Sequence, residues 1–222
     1  MSTLYLVATP IGNLEDLSLR AIRILQEADL ILAEDTRVIR KLLEHYQIRV
    51  NLISWHQHSS DKDWGKIAKF FSQDKQIAFV SDAGTPGISD PGGKLIELVL
   101  KNFPETKIVP IPGASALSAI ISVAGIALDD FLFMGFLPHK KGRQTQIAEI
   151  KAAKRPVIFF ESVHRIIKAL EQLSDCPKQL IIGRELTKQF ETIYRGTAKE
   201  ILEILNKDKT QIKGEFVIVV NK

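Results

Sequence analysis

Along the first half of the chain, apolar residues form short β-branched runs separated by stretches with helical spacing. Residues 4–8, 30–33, 52–54, 77–80 and 107–109 predict strands. Between them, residues 17–28, 36–45, 63–72, 93–101 and 114–124 carry the pattern of helices with one apolar face. In the first of these, Leu17, Ala21, Ile22 and Leu25 share that face. Strands alternating with helices predict a mainly parallel sheet covered on both sides. A second cycle predicts strands at 131–136, 157–160, 179–182, 192–194 and 216–220, with helices at 143–152, 163–173 and 199–205. The pattern is that of an α/β protein with two αβα-type domains, a mainly parallel first sheet and a mixed second one. The expected domains are 1–126 and 127–222, with a hinge near 125–130.

The 222 residues suffice for a sizeable core, and no stretch approaches the roughly 20 apolar residues of a membrane span. The first residues run straight into a strand pattern without a basic leader, so a cytoplasmic location is expected. Cys176 is the only cysteine, which excludes an intrachain disulfide and a thiolate metal cluster; it reads as a loop thiol. His56 and His58 have no carboxylate at ligand spacing and read as a solvated loop, so no metal site is expected. The net charge is +4, and it is uneven. Residues 1–124 carry 13 Lys+Arg against 14 Asp+Glu, whereas residues 125–222 carry 17 against 12. A basic second half suits a polyanion, although many proteins that bind no nucleic acid share it.

Ligands of parallel α/β sheets bind beyond the carboxyl ends of the strands, and those ends carry the unusual sequence here. The first loop reads Ala8-Thr9-Pro10-Ile11-Gly12-Asn13-Leu14 and the second Glu34-Asp35-Thr36-Arg37. The third, residues 81–93, has four glycines and two prolines, and the fourth reads Pro110-Ile111-Pro112-Gly113-Ala114-Ser115-Ala116. Glycine admits close backbone approach to a ligand and proline stiffens the loop. A helix cap formed by Asp90-Pro91 would use only part of the 81–93 loop, and the surplus favours binding. A phosphate-cradling G-x-x-x-x-G-K-[ST], a three-glycine dinucleotide fingerprint and a serine nucleophile elbow are all absent from the sequence.

Together these four loops resemble the signatures of the tetrapyrrole-methylase-like (class III) methyltransferases. They are most similar to the branch that methylates the ribose 2′-oxygen of a cytidine in 16S ribosomal RNA. Gly135-Phe136-Leu137-Pro138, Glu161-Ser162-Val163-His164-Arg165, Arg184-Glu185-Leu186-Thr187-Lys188 and Gly214-Glu215-Phe216 follow in the family's order, so the likeness covers nearly the whole chain. It implies S-adenosylmethionine folded between two α/β domains, no metal, a homodimer, and the decoding region of the small ribosomal subunit as target. The donor-contact positions map onto Pro10, Gly12, Asp82, Gly84, Thr85, Ile88, Ser115, Ala116 and Met134. Two departures stand out. Val163 occupies a position where the family commonly has proline, which relaxes that turn. The sequence also ends at Val220-Asn221-Lys222, where members continue into a small extension; an RNA-gripping role for it would bear on affinity.

The candidate catalytic residues are Glu34, Asp35 and Arg37. A carboxylate would orient or deprotonate the ribose hydroxyl and Arg37 would hold a phosphate. The competing reading makes Asp35 or Thr36 an ordinary helix cap. Arg165, Arg184 and Lys188 are candidates for gripping RNA, with Glu161 and Glu185 as structural partners. Trp55, Trp64, Phe131, Phe133 and Phe136 are expected in cores rather than on bases. Two other functions stay open: a tetrapyrrole (precorrin-type) methyltransferase, and a non-catalytic RNA-binding factor that keeps the fold.

Overall fold

The computed structural model describes residues 1–56 and 58–222. The chain divides into two compact units, Met1–Ser115 and Ala116–Lys222. The first contains β1 (Thr3–Val7), α1 (Leu19–Glu27), β2 (Leu30–Ala33), α2 (Thr36–His45), β3 (Asn51–Ser54), α3 (Asp61–Phe71), β4 (Gln76–Val80), α4 (Gly92–Asn102) and β5 (Lys107–Ile111). Its strands lie in the order β3-β2-β4-β1-β5, and every pairing is parallel.

Alternation along the strands feeds two cores. Val7, Ile31, Ala33, Ala78 and Val80 join Ala21, Leu25, Ile39 and Leu43, so α1 and α2 cover one face. Leu4, Leu6, Leu30, Leu32, Ile77 and Phe79 join Ile67, Phe71, Leu95 and Val99, so α3 and α4 cover the other. Burying both faces is what turns these strands into near-continuous apolar runs. The helix pattern expected from residue 17 begins at Leu19, because Ser18 Oγ accepts from Ala21 N at 3.1 Å and caps it. Leu17 lies outside the helix yet is buried in the same core, which is why its spacing looked helical.

The second unit contains α5 (Ala116–Val123), β6 (Leu132–Phe136), α6 (Arg143–Ala152), β7 (Val157–Ser162), α7 (Ile166–Leu173), β8 (Gln179–Arg184), β9 (Thr192–Thr197), α8 (Ala198–Lys207) and β10 (Glu215–Val220). The sheet order is β6-β7-β10-β8-β9; β6 pairs with β7 in parallel and the other pairs are antiparallel. Ile147, Ile150, Ile166, Leu170, Ile201 and Leu205 pack α6, α7 and α8 on Val157, Phe159, Ile182, Phe216 and Ile218. Strands β7 and β8 outrun the apolar pattern because each continues into a buried polar residue, Glu161 and Arg184. Helix α7 starts three residues later than expected, since the chain first turns at 163–165, with Arg165 N bonded to Ser162 O at 3.0 Å.

Trp55 is 1% exposed, and Trp64 packs among Trp55, Phe71 and Phe103, as core aromatics should. Phe133 sits edge-on to Phe160. Phe136 corrects the expectation: although it ends a strand, it is 54% exposed, because the β6–β7 register shifts between Phe133 and Phe136. Cys176 lies between α7 and β8 and is buried. Among the described residues, no helix is long and apolar enough to cross a membrane.

Candidate active site

Because the first sheet is wholly parallel, the loops leaving β1, β2, β4 and β5 emerge at one edge. The order places β4, β1 and β5 side by side, with β2 beyond β4, and the loops are bonded to one another. Thr9 and Gly84 exchange two backbone hydrogen bonds of 3.0 Å. Thr9 Oγ1 donates to Ser81 O at 3.2 Å, Ser81 Oγ to Gly84 O at 3.2 Å, and Thr85 Oγ1 to Ala114 O at 3.1 Å. Gly84 has φ of +83°, and a Cβ there would stand 3.2 Å from Ile11 Cγ2 and 3.5 Å from Ala114 O. A Cβ on Gly113 would stand 3.0 Å from Ala8 Cβ. Three loops thus meet at distances that favour glycine. Asp90 secures the third, its carboxylate accepting from Gly87 N at 2.8 Å and Gly92 N at 2.7 Å. The residue that caps α4 is Pro91, without a side-chain bond.

The loop after β2 joins this group through Asp35 N, which donates to Asp82 Oδ1 at 2.8 Å. Asp35 is the N-cap of α2, accepting from Arg37 N at 2.8 Å. The Arg37 guanidinium also grips the carboxylate, with Nε 3.0 Å from Oδ1 and Nη2 2.6 Å from Oδ2. That grip and the Arg37 backbone N–H hold the Asp35 carboxyl down at about 2. Its neighbour moves the other way. Partial burial raises the Glu34 carboxyl, and the charges of Asp82, Asp90 and Asp35 push it further against an opposing pull from His56. Burial likewise raises Asp82, against the Asp35 N–H. The two adjacent carboxyls are thus displaced in opposite directions: Asp35 is held ionised by its partners, while Glu34 gains affinity for a proton.

Of the residues singled out from sequence, Pro10, Gly12, Glu34, Asp35, Asp82, Gly84, Thr85, Ile88 and Ser115 lie in the loops at this sheet edge, and Arg37 lies in the first turn of α2. Ala116 opens α5 and Met134 lies in β6 beside the register shift, both in the second unit, where Met134 packs on the core. Sequence reasoning missed Thr9 and Ser81. Both are buried hydroxyls directly after a strand, and that placement was the available signal. The exposed His56 and His58 have ring centroids 6.3 Å apart.

Residues 3–202 match the family model for tetrapyrrole (corrin/porphyrin) methylases. The ribosomal RNA small subunit methyltransferase I of Neisseria meningitidis serogroup B is 45% identical over 98% of this chain and 75% of its own length. The proteins of that name from Bacillus subtilis and Escherichia coli O157:H7 are each 40% identical, over 99% and 98% of this chain and 75% and 77% of theirs. The chain belongs to the tetrapyrrole methylase family, in the ribosomal RNA small subunit methyltransferase I branch. In the fold alone, it resembles the uroporphyrin-III C-methyltransferase of Thermus thermophilus, at 17% identity and a TM-score of 0.63 over 100% of this chain and 95% of that one. A diphthine synthase superposes with a TM-score of 0.74 at 15% identity, over 100% and 90%.

In this methylase the expected RNA-gripping cations are corrected by their partners. Arg184 is 7% exposed and donates to Lys213 O and Phe190 O at 2.9 and 3.1 Å. Arg165 is bound to Glu161 at 3.0 Å and to Leu137 O at 2.7 Å. Lys188 lies 2.9 Å from both Glu185 and Glu215. Each guanidinium or ammonium braces the fold, and the two acids serve as the structural partners expected. Gly84→Ala tests the loop junction: it should cost about 1–2 kcal/mol through the left-handed backbone, with the added Cβ crowding Ile11 Cγ2 at 3.2 Å. Urea denaturation measures the loss.

Proposed function

We propose that this chain transfers the methyl group of S-adenosylmethionine to the ribose 2′-oxygen of a cytidine in the decoding region of small-subunit ribosomal RNA. The observation that carries the proposal is the knitting of three glycine-containing loops to an acidic fourth, in a chain 45% identical to a ribosomal RNA small subunit methyltransferase I. The residues present suit such a donor. Asp82 offers a carboxylate to a ligand carrying sulfonium and ammonium charges, and the close approach of the loops at Gly84 and Gly113 keeps side chains small beside it. Within the first unit, Pro10, Gly12, Asp82, Gly84, Thr85, Ile88 and Ser115 are the residues that would hold it. When bound, the donor supplies an already activated methyl group.

The protein's task is alignment and proton removal. Alignment alone supplies up to about 7–11 kcal/mol in favourable models. Glu34, with its raised proton affinity, accepts the proton of the attacking 2′-hydroxyl. Asp35 fixes the start of α2 and orients Arg37. Arg37 is 88% exposed in its side chain, and its Nη1 has no partner among the described residues, so it can meet an RNA phosphate. A homodimer and a cytoplasmic location belong to the same reading.

The test is methyl transfer from labelled S-adenosylmethionine to small ribosomal subunits lacking the modification, alongside naked 16S rRNA and a tetrapyrrole. Label on a cytidine 2′-oxygen, identified by mass spectrometry of the nucleosides, is the expected result. Label on the tetrapyrrole alone would replace the RNA reading. Donor binding with no transfer to either RNA would favour a fold kept for binding.

A further inference from the structure

The most deeply buried charges lie in the second unit, away from the loops above in sequence. Arg143 Nη2 is 2.8 Å from Glu161 Oε2, and Arg165 Nε is 3.0 Å from Glu161 Oε1. The Glu161 and Arg143 side chains are 0% and 3% exposed. Arg143 Nε also donates to Gln172 Oε1 at 2.9 Å. A buried triad of this kind contributes little net stability compared with apolar packing, so its worth lies in what it orients. Its remaining donors converge on one segment. Arg165 Nη1 donates to Leu137 O at 2.7 Å and Arg143 Nη1 to Pro138 O at 3.3 Å. The two arginines therefore hold the backbone of the β6–α6 connection from beneath.

That connection exposes what a single-stranded nucleic acid needs. Phe136 projects at 54% exposure from the register shift, with one edge on Phe160. His139, Lys140 and Lys141 follow in the exposed turn, and none of their side chains has a partner among the described residues. Gly142, at φ +86°, turns the chain into α6 and brings Arg143 down into the triad. An exposed aromatic ring beside unpaired cations is the pairing used on unstacked nucleotides.

We infer that residues 136–142 grip the RNA substrate, with Phe136 stacking on an unpaired base and Lys140 and Lys141 meeting phosphates, while the Arg143–Glu161–Arg165 triad positions the loop. This rests on the RNA reading given above and adds where the substrate is held.

The experiment measures binding of the full-length protein to unmodified small subunits and to 16S rRNA at several salt concentrations, together with methyl-transfer kinetics. The Lys140→Ala/Lys141→Ala variant is expected to lose roughly tenfold in affinity near physiological salt. Its log K against log salt slope should flatten by about 1.4–1.8, the loss of two phosphate contacts. KM for RNA should rise while kcat and donor affinity hold. Phe136→Ala should lose roughly 5- to 150-fold in affinity with an unchanged slope, because stacking releases no counterions.

A triple variant, Arg143→Met/Glu161→Leu/Arg165→Met, tests the positioning role. It should remain folded by circular dichroism and urea denaturation but show a raised KM for RNA. If the wild type binds and methylates RNA while these variants keep its KM and slope, the inference is overturned and the RNA reading stands. If the wild type neither binds nor methylates RNA, the RNA reading fails first and the inference falls with it.

Discussion

Glu34→Gln is expected to lower turnover by about 10²- to 10⁴-fold, the usual contribution of a general base, with donor affinity retained. Glutamine keeps the shape but cannot accept the proton of the 2′-hydroxyl. Because burial and the neighbouring Asp82, Asp90 and Asp35 charges raise the Glu34 carboxyl, the wild-type rate should climb with pH above the ordinary carboxylate range, as Glu34 ionises. The variant should lose that limb of the profile.

Stability should move the opposite way. A carboxyl with a raised folded-state pKa favours folding while protonated, and that contribution is lost as pH rises through the folded value. At neutral pH the ionised Glu34 is therefore a local burden, and Glu34→Gln should be at least as stable as the wild type in urea. A less active but no less stable protein marks a group kept for chemistry. Ala substitutions extend the test: Asp35→Ala and Arg37→Ala should also lower turnover while donor binding persists. Unchanged turnover in the Glu34, Asp35 and Arg37 variants alike would remove this loop from the mechanism.

The second large effect concerns folding. Glu161→Ala should destabilise the protein by about 3–5 kcal/mol, because it leaves two guanidinium groups buried without their shared carboxylate. Equilibrium urea unfolding, followed by far-ultraviolet circular dichroism, measures it. Glu161→Gln should cost less, since its amide oxygen still accepts one hydrogen bond. An alanine variant within 1 kcal/mol of the wild type would mean that solvent reaches the triad, contrary to its burial. The Val163 turn lies two residues further on, and the bond from Arg165 N to Ser162 O shows it formed without proline.

The parallel first sheet was legible because both its faces are buried, which writes each strand as an unbroken apolar run. Its loops were legible because close approach demands glycine, as at Gly84. Helix α2 was placed at Thr36–His45 by Asp35 and the spacing of Ile39, Leu42 and Leu43. The division between Asp35 and Glu34 was not legible. Both are acids in one loop, and only the Arg37 grip on one and the burial of the other separates them.

Arg143 gives the sharper case. In sequence it is an ordinary cation at a helix start, yet it is buried against a glutamate 18 positions away. Arg184 likewise looked available to RNA and instead clamps two carbonyls. Local periodicity determined which segments became strands and helices, because that choice depends on neighbours three or four residues away. Only the tertiary structure decided which charges are spent internally and which, like Lys140 and Lys141, stay exposed, because burial and pairing are set by residues distant in sequence.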